Sequence, residues 1–227
     1  MTDQNTLQSL AVAQLHDRLL ATPAWPADTA LLPSEPLWHW VATNHRNNCL
    51  LWAEEDLARR TTVSDAEIAK NKRAIDGYNQ ARNDATERVD ELLLIGLGLV
   101  DAESARSDAP RSTVPAGARL NSETAGSMID RMSIMALKID AMRKQTLRTD
   151  VDDAHRASSQ VKLERLLQQR ADLGDCLDGL LADCAAGKAY FKVYRQFKMY
   201  NDARFNPALV AEQKAQQQAA GQKAAGG

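Results

Sequence analysis

Two lines of short polar side chains fall where the helices of this chain should present apolar faces. Within residues 35–60, Val41, His45, Asn48, Trp52, Glu55 and Arg59 recur at steps of four and three, the spacing of one helical stripe. Within residues 64–94, Asp76, Asn79, Asn83, Glu87 and Asp90 repeat the pattern. Exposed helix positions usually carry Glu, Lys, Gln or Arg, whereas Asn competes with the local backbone and forms helices poorly. Asn44, Asn47, Asn48, Asn79 and Asn83 together cost helix formation about 3 kcal/mol relative to alanine. Such a cost points either to a buried hydrogen-bonded network or to a ligand site.

A third group sits in "LNSETAGSMIDRMSIMALKI", Leu120 to Ile139. Asn121, Ser122 or Thr124 suffices to cap the helix that starts here, and Gly126 lets something approach its first turn closely. Glu123 is surplus to capping. If the preceding loop folds over the two polar stripes, Glu123 becomes the third wall of one pocket, with Asp130 and Arg131 a turn below. The expectation is therefore a single site lined by His45, Asn48, Glu55, Asp76, Asn79, Asn83, Glu87 and Glu123.

Several chemistries suit these residue types. His45 beside Glu55 or Glu123 would make an acid–base pair near neutral pH, although a structural histidine fits the same position. Asn48, Arg59, Asn79, Asn83, Asn121 and Arg131 would hold a polar, anionic substrate. Asp76 and Glu87 are hard oxygen ligands, suited to Mg²⁺ or Mn²⁺ rather than zinc. The Glu-x-x-His pairs of di-iron bundles are missing, as are a Gly-rich phosphate loop, a Ser-His-Asp order and a nucleophilic-cysteine context.

The elements that must position these groups read as helices. Strand-like alternation is nearly absent, and the chain is expected to be all-α, a single-domain antiparallel bundle of five or six helices. Residues 1–33 supply a first helix and a proline-rich connector, 34–209 the bundle, and 210–227 a low-complexity tail expected to be disordered. Start signals stand at Ser34 with Pro36, and at Ser64 to Glu67, a capping box. Gly187 ends the last long helix. The segment "KAYFKVYRQFKMYNDARFNP" reads as a short helix with its aromatic side inward, a partly extended run being the alternative. Met132, Met135, Leu166 and Leu173 are expected in the core.

The segments "NHRNNCLLWAEEDLARR", "KRAIDGYNQARNDATERVDELL", "LNSETAGSMIDRMSIMALKI" and "YRQFKMYNDARFNP", in this order, resemble the motifs of a bacterial family known as domain of unknown function four-two-five-four. Ala125 departs from the family's proline after the Ser-Glu-Thr triplet. The resemblance implies a mostly helical cytoplasmic protein whose genes often neighbour glycosyltransferases of lipopolysaccharide or other surface-glycan assembly. It implies no reaction.

A formal net charge of −2 gives no bulk attraction to nucleic acid or to an anionic membrane. No apolar run reaches the roughly 20 residues needed to span a bilayer. Cys49, Cys176 and Cys184 lack metal-ligand spacing and read as buried free thiols of a reducing cytoplasm. Two functions remain: an enzyme acting on a polar, phosphorylated sugar or nucleotide-sugar in glycan synthesis, or a non-catalytic helical partner of a glycosyltransferase. A homodimer is compatible with either.

Overall fold

A computed structural model describes residues 7–196 and 204–225. Contact density divides the chain into two compact units, 1–193 and 194–227. The N-terminal helix and the connector thus fall in the first unit together with the bundle helices.

The first unit is a helical bundle: α1 (Ser9–Leu20), α2 (Pro36–Ala58), α3 (Asp65–Gly96), α4 (Ala125–Thr146) and α5 (Asp153–Ala185). Short connections make α2 with α3, and α4 with α5, two helical hairpins. The Glu35 side chain caps α2, accepting from the Leu37 and Trp38 amides, in place of the expected Ser34. Ser64 and Glu67 form the capping box at the start of α3. Thr124 caps α4 by accepting from the Ser127 amide. The first turn of α1 has no local side-chain cap. Asp178 of α5 replaces it, accepting from the Ser9 amide at 2.8 Å and the Ser9 hydroxyl at 2.7 Å.

Apolar faces of all five helices meet in one core that includes Val12, Val41, Val89, Ile129, Met132, Leu177 and Phe191. Met132 and Leu173 are buried as expected, but Met135 and Leu166 are only half-buried. Both line concavities on the α4–α5 surface.

After α5, Gly187 adopts a left-handed φ of 67° and turns the chain back. Ala189–Tyr190 (β2) then pairs in parallel with Arg119–Leu120 (β1). The expected aromatic helix does not form over the described part of that segment, which stays non-helical through Gln196. Its residues alternate instead: Ala189, Phe191 and Val193 are buried, while Tyr190, Lys192 and Tyr194 are more open. That stretch fits a period of two as readily as one of 3.6, and pairing with β1 selects the extended form. Residues 197–203 lie outside the described residues.

In the second unit, Pro207–Ala225 forms α6. The tail expected to be disordered is helical here, because Ala, Gln, Glu and Lys favour helix even without burial. Its side chains from 211 to 218 are exposed. Among the described residues no helix is long and apolar enough to cross a membrane.

Candidate functional site

The stripe on α2 turns inward onto α4. Asn48 Nδ2 lies 2.9 Å from Asp130 Oδ1, 3.0 Å from Ser133 Oγ and 3.2 Å from Asn44 Oδ1. Asn44 Nδ2 lies 2.8 Å from the same Asp130 oxygen and 3.1 Å from Thr86 Oγ1. Arg82 of α3 stands behind, its Nε 3.8 Å from Asp130 Oδ1. One carboxylate oxygen therefore gathers two amides and a guanidinium from α2 and α3, joining three helices through polar contacts.

His45 lies deeper, fully buried, with Nδ1 2.8 Å from Ser133 Oγ. The Ser133 hydroxyl accepts from Asn48 and shares a second hydrogen bond with His45 Nδ1, so it links the two side chains of α2 to α4. The His45 ring stacks on His16 at 4.4 Å and on Trp25 at 5.8 Å. Burial lowers the His45 pKa to about 3, partly offset by a hydrogen bond to the His16 main chain. His45 is therefore neutral and sealed at neutral pH. The expected pairing with Glu55 or Glu123 does not form, since those carboxylates pair with Arg59 and Arg131, and burial leaves the ring out of reach of solvent.

The remaining stripe residues disperse. Glu55 points outward and pairs with Arg59 at 3.2 Å on the same helix. Asp76 is exposed and paired with Lys72. Asn79 and Asn83 are half-buried on α3, Asn83 accepting from Arg82 at 3.3 Å. Glu87 is half-buried beside Asp90. Asp76 and Glu87 stand about 16 Å apart along the helix axis at 1.5 Å per residue, too far to share a metal ion. Among the described residues no group of three or more His, Cys, Asp or Glu side chains could hold a metal.

The third group does reach a concavity. Pairing of β1 with β2 brings the Asn121 amide 2.8 Å from the Tyr190 carbonyl and pins the 119–123 loop beside the end of α5. Between that loop, α4 and α5 opens a cleft of about 1030 Å³. Glu123 accepts from Arg131 at 2.5 Å and Asn121 from Arg119 at 2.9 Å, and all four side chains line the cleft. Lys138 of α4 and Asp172 and Asp183 of α5 complete its polar wall, over an apolar floor that includes Met128, Met135, Leu173 and Leu180. Asp183 and Lys138 have no ion-pair partner among the described residues. Asn48, Glu55 and Arg59 line a separate hollow of about 380 Å³ with Trp52 and Arg82.

The residues of the single pocket expected from the sequence thus fall in separate places: a hydrogen-bonded network under α2, a small hollow beside it that Asn48, Glu55 and Arg59 line, and an open cleft against α5. Asp172, Asp183, Gln169 and Cys176 of α5 were missed. Their signal was present: Gln169, Asp172, Cys176, Gly179 and Asp183 recur at steps of three and four, a polar and small-residue line beside the leucine seam.

The sequence profile of the family described as "Protein of unknown function (DUF4254)" matches residues 38–193. The chain belongs to this family. The match ends where the first compact unit ends, so both hairpins, the sealed network and the α4–α5 cleft lie within the family's region. No curated protein and no solved structure matches the chain.

Proposed function

We propose that this member of the DUF4254 family binds a phosphorylated sugar in the cleft between α4, α5 and the 119–123 loop. The observation that carries this reading is the cleft's lining: both charge signs stand over an apolar floor in about 1030 Å³, the size of a small-molecule site. Carboxylates such as Asp172 and Asp183 accept hydrogen bonds from sugar hydroxyls, while the Lys138 ammonium, without an ion-pair partner among the described residues, attracts a phosphate. Arg131, held by Glu123, is a second cation within reach of the same ligand. The pathway part of this reading, in which the ligand is an intermediate of envelope-glycan synthesis, rests on the gene neighbourhood that the resemblance to the family implies.

Calorimetric titration with a hexose 1-phosphate tests it. Wild type binds, Lys138→Met and Asp172→Asn bind at least tenfold more weakly, and both variants melt as wild type does, because both side chains are exposed. No binding, or equal binding by all three proteins, refutes the proposal.

A non-catalytic role beside a glycosyltransferase is the second reading. One observation favours it: His45, expected as an acid or base, and Asn48, expected to hold substrate, are consumed in fixing α2 against α4, much as a buried Asn fixes register in a coiled coil.

A further inference from the structure

Beyond the cleft, the α4–α5 surface continues into a hollow of about 430 Å³ lined by Trp52, Lys138, Met142, Lys162, Arg165 and Leu166, among others. The two concavities are contiguous, because Lys138 and Gln169 line both. Their chemistry differs sharply. The cleft carries Glu123, Asp172 and Asp183 on its walls, whereas three cations and no carboxylate line the hollow. Lys138, Lys162 and Arg165 have no ion-pair partner among the described residues. Surface cations on acid-rich helices ordinarily find a carboxylate three or four positions away, as Lys72 and Lys144 do here. Three that do not, around one concavity, concentrate positive potential at a single place.

The floor of that place is aromatic. Trp52 is half-buried and its indole N–H meets no acceptor among the described residues. Its neighbours in the hollow, Met142, Leu166 and Ala141, are apolar. A flat ring can lie on the indole face with thioether and leucine contacts at its edges, while anionic groups attached to it reach the ammonium and guanidinium groups. From Met142 to Lys138 is about one turn of α4, and from Lys138 to Arg131 about 10 Å along its axis. Lys138 and Gln169 thus stand at the junction of the two concavities, while Met142, Lys162 and Arg165 lie on the side of the hollow away from the cleft.

We propose that this hollow is a nucleoside-diphosphate subsite: the base stacks on Trp52, and Lys138, Lys162 and Arg165 hold the diphosphate. The proposal rests on the sugar-phosphate reading of the cleft and narrows it, since a sugar in the cleft would then be joined through its phosphate at Lys138 to a nucleoside.

Titration of the full chain with uridine diphosphate, adenosine diphosphate, inorganic pyrophosphate and a hexose 1-phosphate tests it. Base stacking makes at least one nucleoside diphosphate bind roughly tenfold or more tightly than pyrophosphate. Trp52→Ala removes that advantage and leaves pyrophosphate binding unchanged, while Trp52→Phe retains most of it. Because Trp52 is half-buried, the exposed pair Lys162→Glu with Arg165→Glu serves as the second probe, weakening both diphosphates at least tenfold at unchanged melting temperature. Pyrophosphate binding as tightly as both nucleotides, or an undiminished preference in Trp52→Ala, overturns the subsite. If the hexose phosphate still binds through Asp172 in that case, the sugar reading stands and only the subsite falls. Trp52-dependent nucleotide binding without any hexose phosphate binding supports the subsite and removes the sugar from the cleft.

Discussion

Alanine in place of Gly126 would put a methyl group 2.6 Å from the Thr86 carbonyl oxygen and 2.8 Å from Asp90 Oδ1. The carbonyl belongs to the backbone of α3 and cannot rotate aside, so α4 must retreat by most of an ångström. That movement opens the 2.6 Å hydrogen bond by which the Gly126 amide reaches the buried Asp90 carboxyl. Overpacking costs about 1–3 kcal/mol. A buried acceptor left without its donor costs a further ~1–3 kcal/mol. Better helix propensity returns at most ~1 kcal/mol, less in a first turn than mid-helix. The net expectation is destabilisation by about 2–4 kcal/mol, or a melting temperature lower by roughly 5–15 °C for a chain of this size. Gly77→Ala is the control, since a Cβ there meets nothing within 4 Å and should leave stability equal or slightly higher. Thermal melts of both variants by circular dichroism read the difference. If Gly126→Ala melts with wild type, the close approach of α3 and α4 is wrong.

Asp130→Ala strips the shared acceptor from Asn44 and Asn48, so it should cost about 2–4 kcal/mol in urea unfolding while hexose-phosphate affinity persists. Acidification should destabilise the fold through its sealed histidines. The folded pKa of His45, about 3, lies below its ordinary value of 6.5, so the unfolded chain binds the extra proton and stability falls as pH drops below 6.5. Between pH 6.5 and 5 this amounts to about 2 kcal/mol from His45, and His16, also lowered by burial, acts in the same direction. Asp90 acts oppositely, because burial raises its pKa to about 7 and the folded state there holds more protons than the unfolded one. His45→Gln should therefore flatten the acid limb of stability against pH, and Asp90→Asn should steepen it. Cys176 is exposed in the cleft while Cys49 and Cys184 are buried, so iodoacetamide should label Cys176 first and a bound hexose phosphate should slow it. Equal labelling of all three thiols in the native protein would falsify that placement.

Local signals in the sequence survived into the structure where the physics is local. The Ser64 capping box and the stop at Gly187 each depend on a few neighbouring residues or on backbone geometry, whereas Gly126 announced a close approach without naming what approaches. For Gly126 the approaching partner turned out to be α3. The polar stripes were legible as an anomaly, but not their fate. Asn48 and His45 meet Ser133 and Asp130 across more than eighty residues, and nothing in the helical period tells a satisfied buried amide from one facing a ligand. Glu55 and Asp76 found their own helix's cations instead. The segment after Gly187 was ambiguous because Tyr190 and Tyr194 recur at helical spacing while Ala189, Phe191 and Val193 recur at strand spacing, and pairing with β1 selects the second. The α5 wall of the cleft was overlooked because its leucine seam is the louder pattern.

The central claim, that the α4–α5 cleft is the ligand site and the α2 network is structural, is tested most directly by a crystal structure soaked with a hexose 1-phosphate. The account predicts its phosphate within hydrogen-bonding distance of Lys138 Nζ and its hydroxyls against Asp172 or Asp183, with the Asn44–Asn48–Asp130 contacts unchanged. Density for the ligand between α2 and α4 beside Asn48, with the cleft empty, would contradict it.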